Sequence, residues 1–128
     1  MHVRHAMSSS VLVVSPHHTV MEAAQAMLRR RVGAAIVVDP ELAGPGILTE
    51  RDVMRAVAES ADCTTSLVSD YMTYDARTAS VSWDLDTAAT EMCKGNFRHL
   101  IVVDGDQMVG VVSMRDIVGA RVREAAGV

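Results

Sequence analysis

The sequence predicts an α/β chain built from two copies of one β-α-β-β-α unit, each with a small three-stranded sheet packed on helices. Three observations predict this fold class: an internal repeat covers nearly the whole chain, each copy has an amphipathic helical stripe, and each copy has a β-branched run spelling IVVD. With 128 residues, 49% of them hydrophobic, the chain can bury a core, but half of it would be marginal alone. We therefore expect the two copies to fold together.

The repeat becomes visible when residues 3–39 are placed on residues 68–104 without a gap, at an offset of 65. The residues of the first copy that match identically are Val3, Met7, Ser15, Ala23, Ala24, Met27, Ile36, Val37, Val38 and Asp39. After one deletion the offset is 64, and the matching pairs are Gly46 with Gly110, Arg51 with Arg115 and Asp52 with Asp116. We therefore divide the chain into repeat 1 (3–62), a linker (63–67) and repeat 2 (68–128).

Each repeat is predicted to begin with a short strand and an amphipathic helix. In repeat 1 the apolar run 11–14 suits a strand, and Thr19 three residues before Glu22 is typical of a capped helix start. The helical stripe of repeat 1 is Val20, Ala23, Ala24, Met27 and Leu28. The stripe of repeat 2 is Leu85, Ala88, Ala89, Met92 and Cys93, with Asp84 as the candidate N-cap. We expect these stripes, including Cys93, to be buried.

A second strand, a turn, a third strand and a closing helix complete each repeat. The β-branched runs 34–39 and 99–104 predict buried strands. The turns are PELAGPG in repeat 1 and GDQMV in repeat 2, and a short third strand follows each turn. The closing helices are predicted over 50–59 and 114–125.

Charge and composition exclude several classes of function. A net charge of −4 argues against binding to a phosphate backbone, and no run approaches the roughly 20 apolar residues of a membrane span. Cys63 and Cys93 form no CxxC pattern, and the adjacent His17 and His18 make a poor metal pair, so we expect no disulfide framework and no metal site. No nucleophile, base and acid come together, so we expect no catalysis, and we expect a reducing, cytoplasmic compartment.

One short motif occurs twice, as GILTERD at 46–52 and as GVVSMRD at 110–116. Its hydroxyl and carboxylate, three residues apart, are typical of a capping box at a strand-to-helix junction. The same groups can bind a ligand, because a helix N-terminus attracts phosphate and an aspartate accepts hydrogen bonds from ribose hydroxyls. The glycine would then allow close approach of the backbone to the ligand. Both interpretations remain open at this point.

The ordered set RVGAAIVVD and GILTERDVM, duplicated as FRHLIVVD and GVVSMRDIV and introduced by VRHAM and VSDYM, resembles a tandem pair of CBS domains, called a Bateman module. The resemblance implies a regulatory module without catalytic cofactor that binds an adenosyl ligand in clefts between the repeats. AMP, ADP or ATP is the main candidate, with S-adenosylmethionine or NAD as others. The resemblance also implies an effector protein of unknown identity and a homodimer. A helix face that would suit the dimer contact is formed by Val53, Ala56, Val57, Ile117 and Val118.

The family's binding positions transfer to two sets of residues. One cleft would combine Ser113, Arg115, Asp116, Ser10, Val11, Leu12, Val32, Gly33 and Ala34. The other would combine Thr49, Arg51, Asp52, Asp75, Ala76, Arg77, Phe97, Arg98 and His99. The second set replaces small apolar residues by Phe97, Arg77 and Arg98, which could stack on adenine and meet phosphates or could fill the cleft. We therefore expect the Asp116 cleft to be more adenosine-like and the Asp52 cleft more phosphate-rich.

A different class of function also fits the sequence. In this alternative the chain is a ligand-free interaction or dimerisation module, and the two motifs act only as helix caps.

Overall fold

A computed structural model describes residues 1–127, so the predicted end of repeat 2 at residue 128 lies outside the described residues. The strands are β1 (Val13–Val14), β2 (Ala34–Val37), β3 (Gly46–Thr49), β4 (Thr78–Ser80), β5 (His99–Asp104) and β6 (Gln107–Ser113). The α-helices are α1 (Val20–Arg30), α2 (Glu50–Ala58), α3 (Val68–Tyr71), α4 (Leu85–Gly95) and α5 (Met114–Ala125). A 3₁₀ turn covers Val3–His5.

The chain forms two compact units that are cut differently from the sequence repeats. The first unit is Val11–Ala76, and the second unit consists of Met1–Ser10 together with the chain from Arg77 onward. The segment that leads into each repeat therefore packs in the other unit. We call Met1–Ser10 the first leader and residues 63–76, which include α3, the second leader.

Each unit contains the three-stranded sheet that the sequence predicts. The strand orders are β1-β2-β3 and β4-β5-β6, with the first pair parallel and the second pair antiparallel in both sheets. The predicted α/β class, with two small sheets packed on helices, is confirmed. The second turn is shorter than predicted, because Asp104 already pairs with Gln107 and Gly105 takes the left-handed conformation at φ 62°.

The helical stripes are buried in part. Ala23 and Met27 of α1 are buried in the core that contains the first sheet, and Leu85 and Met92 of α4 are buried in the core that contains the second. The prediction is wrong for the last position of each stripe: the Leu28 residue is 82% exposed, and Cys93 is exposed as well. That position lies eight residues after the first, which is about 80° round the helix, so it falls beyond the face that the sheet covers.

The predicted capping box of α1 is formed. The amide of Thr19 donates to Glu22 Oε1 at 2.9 Å, and the amide of Glu22 donates to Thr19 Oγ1 at 3.1 Å. These hydrogen bonds from the amide and hydroxyl of Thr19 lower the pKa of Glu22 below its usual value. Asp84 stands at the N-cap of α4 as predicted, but its side chain makes no capping hydrogen bond.

Helices α1 and α4 are each followed by a residue in the left-handed conformation. This residue is Arg31 after α1, at φ 55°, and Asn96 after α4, at φ 56°. Asparagine tolerates that region, whereas an arginine side chain is strained there, so the first repeat carries the less favourable C-cap.

We predict that Arg31→Gly stabilises the chain by about 0.5–1 kcal/mol, because glycine adopts positive φ without steric cost. The free energy of unfolding in urea measures the change. Asn96→Arg is the matched variant in the second repeat and should destabilise by a similar amount. A loss of stability in Arg31→Gly would contradict this explanation of the two caps.

Candidate functional site

The first motif forms a complete capping box where β3 runs into α2. The amide of Thr49 donates to Asp52 Oδ2 at 2.8 Å, and its hydroxyl donates to the same oxygen at 3.1 Å. In return, the amide of Asp52 donates to Thr49 Oγ1 at 3.3 Å. A cap of this kind contributes about 1 kcal/mol to stability.

The second motif repeats this geometry where β6 runs into α5. The amide of Ser113 donates to Asp116 Oδ2 at 2.8 Å, and the amide of Asp116 donates to Ser113 Oγ at 3.0 Å. A carboxylate has about four acceptor positions, so a capping aspartate can still accept hydrogen bonds from a ligand through its other oxygen. The capping and binding interpretations are therefore compatible in one structure.

In each unit the entrance of the central strand lies beside that unit's own motif. Ala34 pairs with Thr49, and the amide of Glu50 donates to the carbonyl of Gly33 at 2.9 Å. Val32 precedes this pair. The predicted association of these residues with the motif of the other repeat stays a prediction.

The same arrangement holds in the second unit. His99 pairs with Ser113, and the amide of Met114 donates to the carbonyl of Arg98 at 2.9 Å. Arg115 follows Met114 at the start of α5 and is exposed, as Arg51 is at the start of α2. Each junction therefore has a positive side chain immediately before its carboxylate.

The other predicted residues of the first unit lie near the ends of its strands. The carbonyl of Val11 accepts a hydrogen bond from the Arg30 guanidinium at 3.4 Å, and the carbonyl of Leu12 accepts one from the amide of a β2 residue at 2.8 Å. The amide of Ala76 donates to a loop carbonyl at 3.2 Å. Asp75 has a positive φ of 51°, so this predicted binding residue has a strained backbone.

Phe97 of the second unit is half-buried against the core, and its ring covers Gly95. The guanidinium of Arg77 lies over that ring, 5.9 Å from its centroid. A cation in this position is attracted by the face of the ring. Adenine could stack on this face only if Arg77 moved away. Ser10, the remaining predicted residue of this unit, is exposed.

The glycine of each motif has a packing role that the sequence analysis did not predict. A Cβ at Gly110 would lie 2.5 Å from the carbonyl oxygen of Ser8 in the first leader, and one at Gly46 would lie 2.9 Å from that of Thr73 in the second leader. Ser8 exchanges two backbone hydrogen bonds with Val111, at 2.9 and 3.0 Å. The close approach that we expected for a ligand is therefore made by the chain itself.

The two motifs differ in the residue one turn after the aspartate, which the sequence analysis missed. In α2 this residue is Arg55, whose Nη2 lies 3.8 Å from Asp52 Oδ1. At the equivalent position of α5 the chain has Gly119. Asp116 forms no ion pair within residues 1–127. The offset of 64 places Arg55 on Gly119, so comparison of the repeats could have found this difference.

The predicted dimer face is wrong in two positions. Ala56 is buried, and Ile117 is buried in the core of the second unit, so neither side chain is exposed for such a contact. Val57 and Val118 of the predicted face are exposed. The outer sides of the same helices also expose Met54 on α2 and Val122 on α5.

No group of three or more His, Cys, Asp or Glu residues in the described part of the chain could hold a metal ion. Among the helices within residues 1–127, none is both long and apolar enough to cross a membrane.

Comparison with known proteins gives consistent matches. The family model for the CBS domain matches residues 3–59 and 68–123. The CBS domain-containing protein YhcV of Bacillus subtilis is 34% identical over 127 residues, which cover 98% of this chain and 89% of that protein.

Two solved structures with bound ligands are also similar to this chain. The CBS domain protein PAE2072 from Pyrobaculum aerophilum, complexed with AMP, has a TM-score of 0.79 and 26% identity, and the match covers 91% of this chain and 89% of that one. The CBS domain pair of protein MJ0100, in complex with 5′-methylthioadenosine and S-adenosyl-L-methionine, has a TM-score of 0.83 and 25% identity, over 94% of this chain and 99% of that one.

We predict that Gly110→Ala destabilises the chain by about 1–3 kcal/mol, because the added methyl group meets a backbone carbonyl that cannot move without breaking the bridge to the first leader. The midpoint of urea unfolding measures this loss. Gly119→Ala is the matched control: it lies inside α5 with only a flexible arginine tip at 3.4 Å, and it should be neutral or stabilising. Equal effects of both changes would contradict the packing role of Gly110.

Proposed function

Because the chain belongs to the CBS domain family, we propose that it is a non-catalytic regulatory module that binds an adenosyl ligand at its two hydroxyl–carboxylate motifs. An adenine nucleotide, AMP, ADP or ATP, is the main candidate, and S-adenosylmethionine or NAD are the others. The main support for this proposal is a junction that occurs twice. At each junction a strand ends at a helix N-terminus, and a capping hydroxyl, an aspartate and an arginine lie together there. AMP and S-adenosylmethionine bound to two structurally similar proteins support the same ligand class.

The chemistry of each junction fits ribose and phosphate. The outer oxygen of the aspartate accepts hydrogen bonds from ribose hydroxyls, while its other oxygen keeps the helix capped. The N-terminus of each helix offers a partial positive charge to a phosphate, whereas the amides of Glu50, Asp52, Met114 and Asp116 already donate to acceptors within the chain. Arg51 and Arg115, each immediately before an aspartate, add a positive charge suited to the phosphates.

We propose the binding residues as the family resemblance assigns them. The ribose and phosphate contacts come from Thr49, Arg51 and Asp52 for one ligand, and from Ser113, Arg115 and Asp116 for the other. The base contacts come from the residues of the first strand and of the central-strand entrance in the two predicted sets, which are Ser10, Val11, Leu12, Val32, Gly33, Ala34, Asp75, Ala76, Arg77, Phe97, Arg98 and His99. The Asp116 ligand is proposed to be the more adenosine-like of the two.

Regulation requires that the ligand bind one conformation or complex better than another, because a ligand shifts an equilibrium only through that difference in affinity. We propose that the output passes to an effector protein or through self-association as a homodimer. The exposed side chains of Met54 and Val57 on α2 and of Val118 and Val122 on α5 are the apolar groups suited to that contact. We place the protein in the cytoplasm.

A second candidate is an interaction module that binds no ligand. The observation that favours it is that the capping boxes are complete without any ligand, so the motifs already have a structural role. The two candidates differ in one measurable property, which is the stabilisation by adenosyl compounds.

We predict that millimolar AMP, ATP, S-adenosylmethionine or NAD raises the melting temperature of the chain. A ligand at 100 times its dissociation constant adds about 2.7 kcal/mol of stability. The double variant Asp52→Asn, Asp116→Asn should lose this shift while its helices stay capped, because the asparagine oxygen still accepts the amide hydrogen bond. No shift with any of the four compounds would reject ligand binding and favour the interaction module.

A further inference from the structure

The two aspartates, equivalent in sequence, differ in what occupies their second oxygen. Both use Oδ2 to cap their helix. Oδ1 of Asp52 faces the guanidinium of Arg55 at 3.8 Å, and the side chain of Asp52 is 15% exposed. A ligand hydroxyl that donates to this oxygen must therefore compete with a positive charge.

Arg55 is held in place by several partners within the first unit. Its Nη2 donates to the carbonyl of Tyr71 at 3.1 Å, and its Nη1 lies 3.5 Å from Glu59 Oε2. The guanidinium also lies over the Tyr71 ring, 4.9 Å from the centroid. Contacts from α2 and from α3 thus fix the guanidinium beside Asp52. Through Tyr71, the second leader therefore contacts the arginine that pairs with the aspartate of the first motif.

The second motif lacks this arrangement. Gly119 has no side chain to approach Asp116. Arg123, one turn further, reaches back so that a Cβ at Gly119 would lie 3.4 Å from its Nη1, yet it makes no ion pair with Asp116 in the part of the chain that the structure describes. Arg121 is engaged elsewhere, with Asp86 and Glu124, and the Asp86 carboxylate raises its pKa. Within residues 1–127, no guanidinium therefore forms an ion pair with Asp116 Oδ1.

We propose that Arg55 makes the two motifs unequal, so that the Ser113–Asp116 motif binds the ribose of the ligand more tightly and fills first, and the Thr49–Asp52 motif binds it more weakly. This inference rests on the proposed function. It assigns a selectivity role to a residue outside the motif itself. For a pair in which the arginine side chain is 49% exposed, the ion pair corresponds to a difference of about two- to fivefold in affinity.

The test is to titrate AMP, by calorimetry, into variants in which only one of the two motif aspartates is kept. Asp52→Asn leaves the second motif and should retain the tighter site of the wild-type chain. Asp116→Asn leaves the first motif and should bind AMP more weakly. Adding Arg55→Met to Asp116→Asn should then tighten binding about two- to fivefold, because methionine keeps contact with the Tyr71 ring but removes the charge.

The controls separate this effect from a general change of the chain. Arg121→Met, added to Asp116→Asn, removes a paired arginine of the other unit and should leave AMP affinity unchanged. The gain from Arg55→Met should shrink when 2′-deoxy-AMP replaces AMP, because one of the competing ribose hydroxyls is then missing.

The outcomes distinguish the inference from the function on which it rests. Loss of the tighter site in Asp52→Asn, or unchanged or weaker AMP binding after Arg55→Met, would overturn the role of Arg55 alone. A gain that is equal for AMP and 2′-deoxy-AMP would do the same. A wild-type chain that binds none of AMP, ATP, S-adenosylmethionine and NAD would reject the proposed function together with the inference.

Discussion

Backbone pairing between a leader and the strand that carries a motif is the constraint on which the rest of the structure depends. Ile47 of β3 exchanges two hydrogen bonds with Thr73, at 3.0 and 2.9 Å, and Val111 of β6 does the same with Ser8. These bridges require glycine at the preceding position, because any Cβ there would meet the carbonyl of the leader. They also anchor the strand whose last residue becomes the N-cap of the closing helix.

The leaders contribute to the cores as well as to the strand edges. Val3 of the first leader is fully buried in the core of the second unit, and Val68 and Met72 of the second leader are buried in the core of the first. Each unit therefore gains apolar burial from a segment that belongs, by sequence, to the other repeat. Removal of a leader would expose this core and the edge of the motif strand together.

Local patterns predicted most of the fold. The helical stripes placed Met27 and Met92 in the cores, and the spacing of Thr19 from Glu22 predicted a cap that the structure contains. The resemblance to CBS pairs, drawn from the duplicated motifs, agrees with the family match. The stripes and the cap depend on residues within one or two helical turns of each other, where periodicity and capping chemistry act directly.

Contacts between distant segments could not be predicted in the same way. The pairing of Ser8 with Val111 leaves no periodic trace in either segment, and the shared glycines were therefore attributed to a ligand. The limits of the buried faces also depend on tertiary packing, which is why Leu28 was predicted as core and is exposed. The similarity of the repeats could not predict the role of Arg55, because that role depends on a position at which the repeats differ, Arg55 against Gly119.

The two equivalent capping boxes affect the stability of the motifs, whereas the unequal charges around them are proposed to affect ligand binding. The boxes hold both helix starts in the same geometry, so they account for stability equally in the two repeats. The binding strength of each motif is proposed to depend on the second oxygen of its aspartate, which in Asp52 lies 3.8 Å from Arg55 Nη2 and in Asp116 has no ion pair among residues 1–127. One repeated sequence motif can thus support two sites of different affinity.

An amide NMR titration of the protein with AMP, ATP, S-adenosylmethionine and NAD in turn tests most directly whether the motifs bind a ligand in addition to capping helices. We expect a compound that binds to shift the amide signals of Ser113 to Asp116 and those of Thr49 to Asp52, with the midpoint of the second group at about two- to fivefold higher concentration. If both groups of signals stayed in place with all four compounds, the motifs would be helix caps only, and ligand binding would be contradicted.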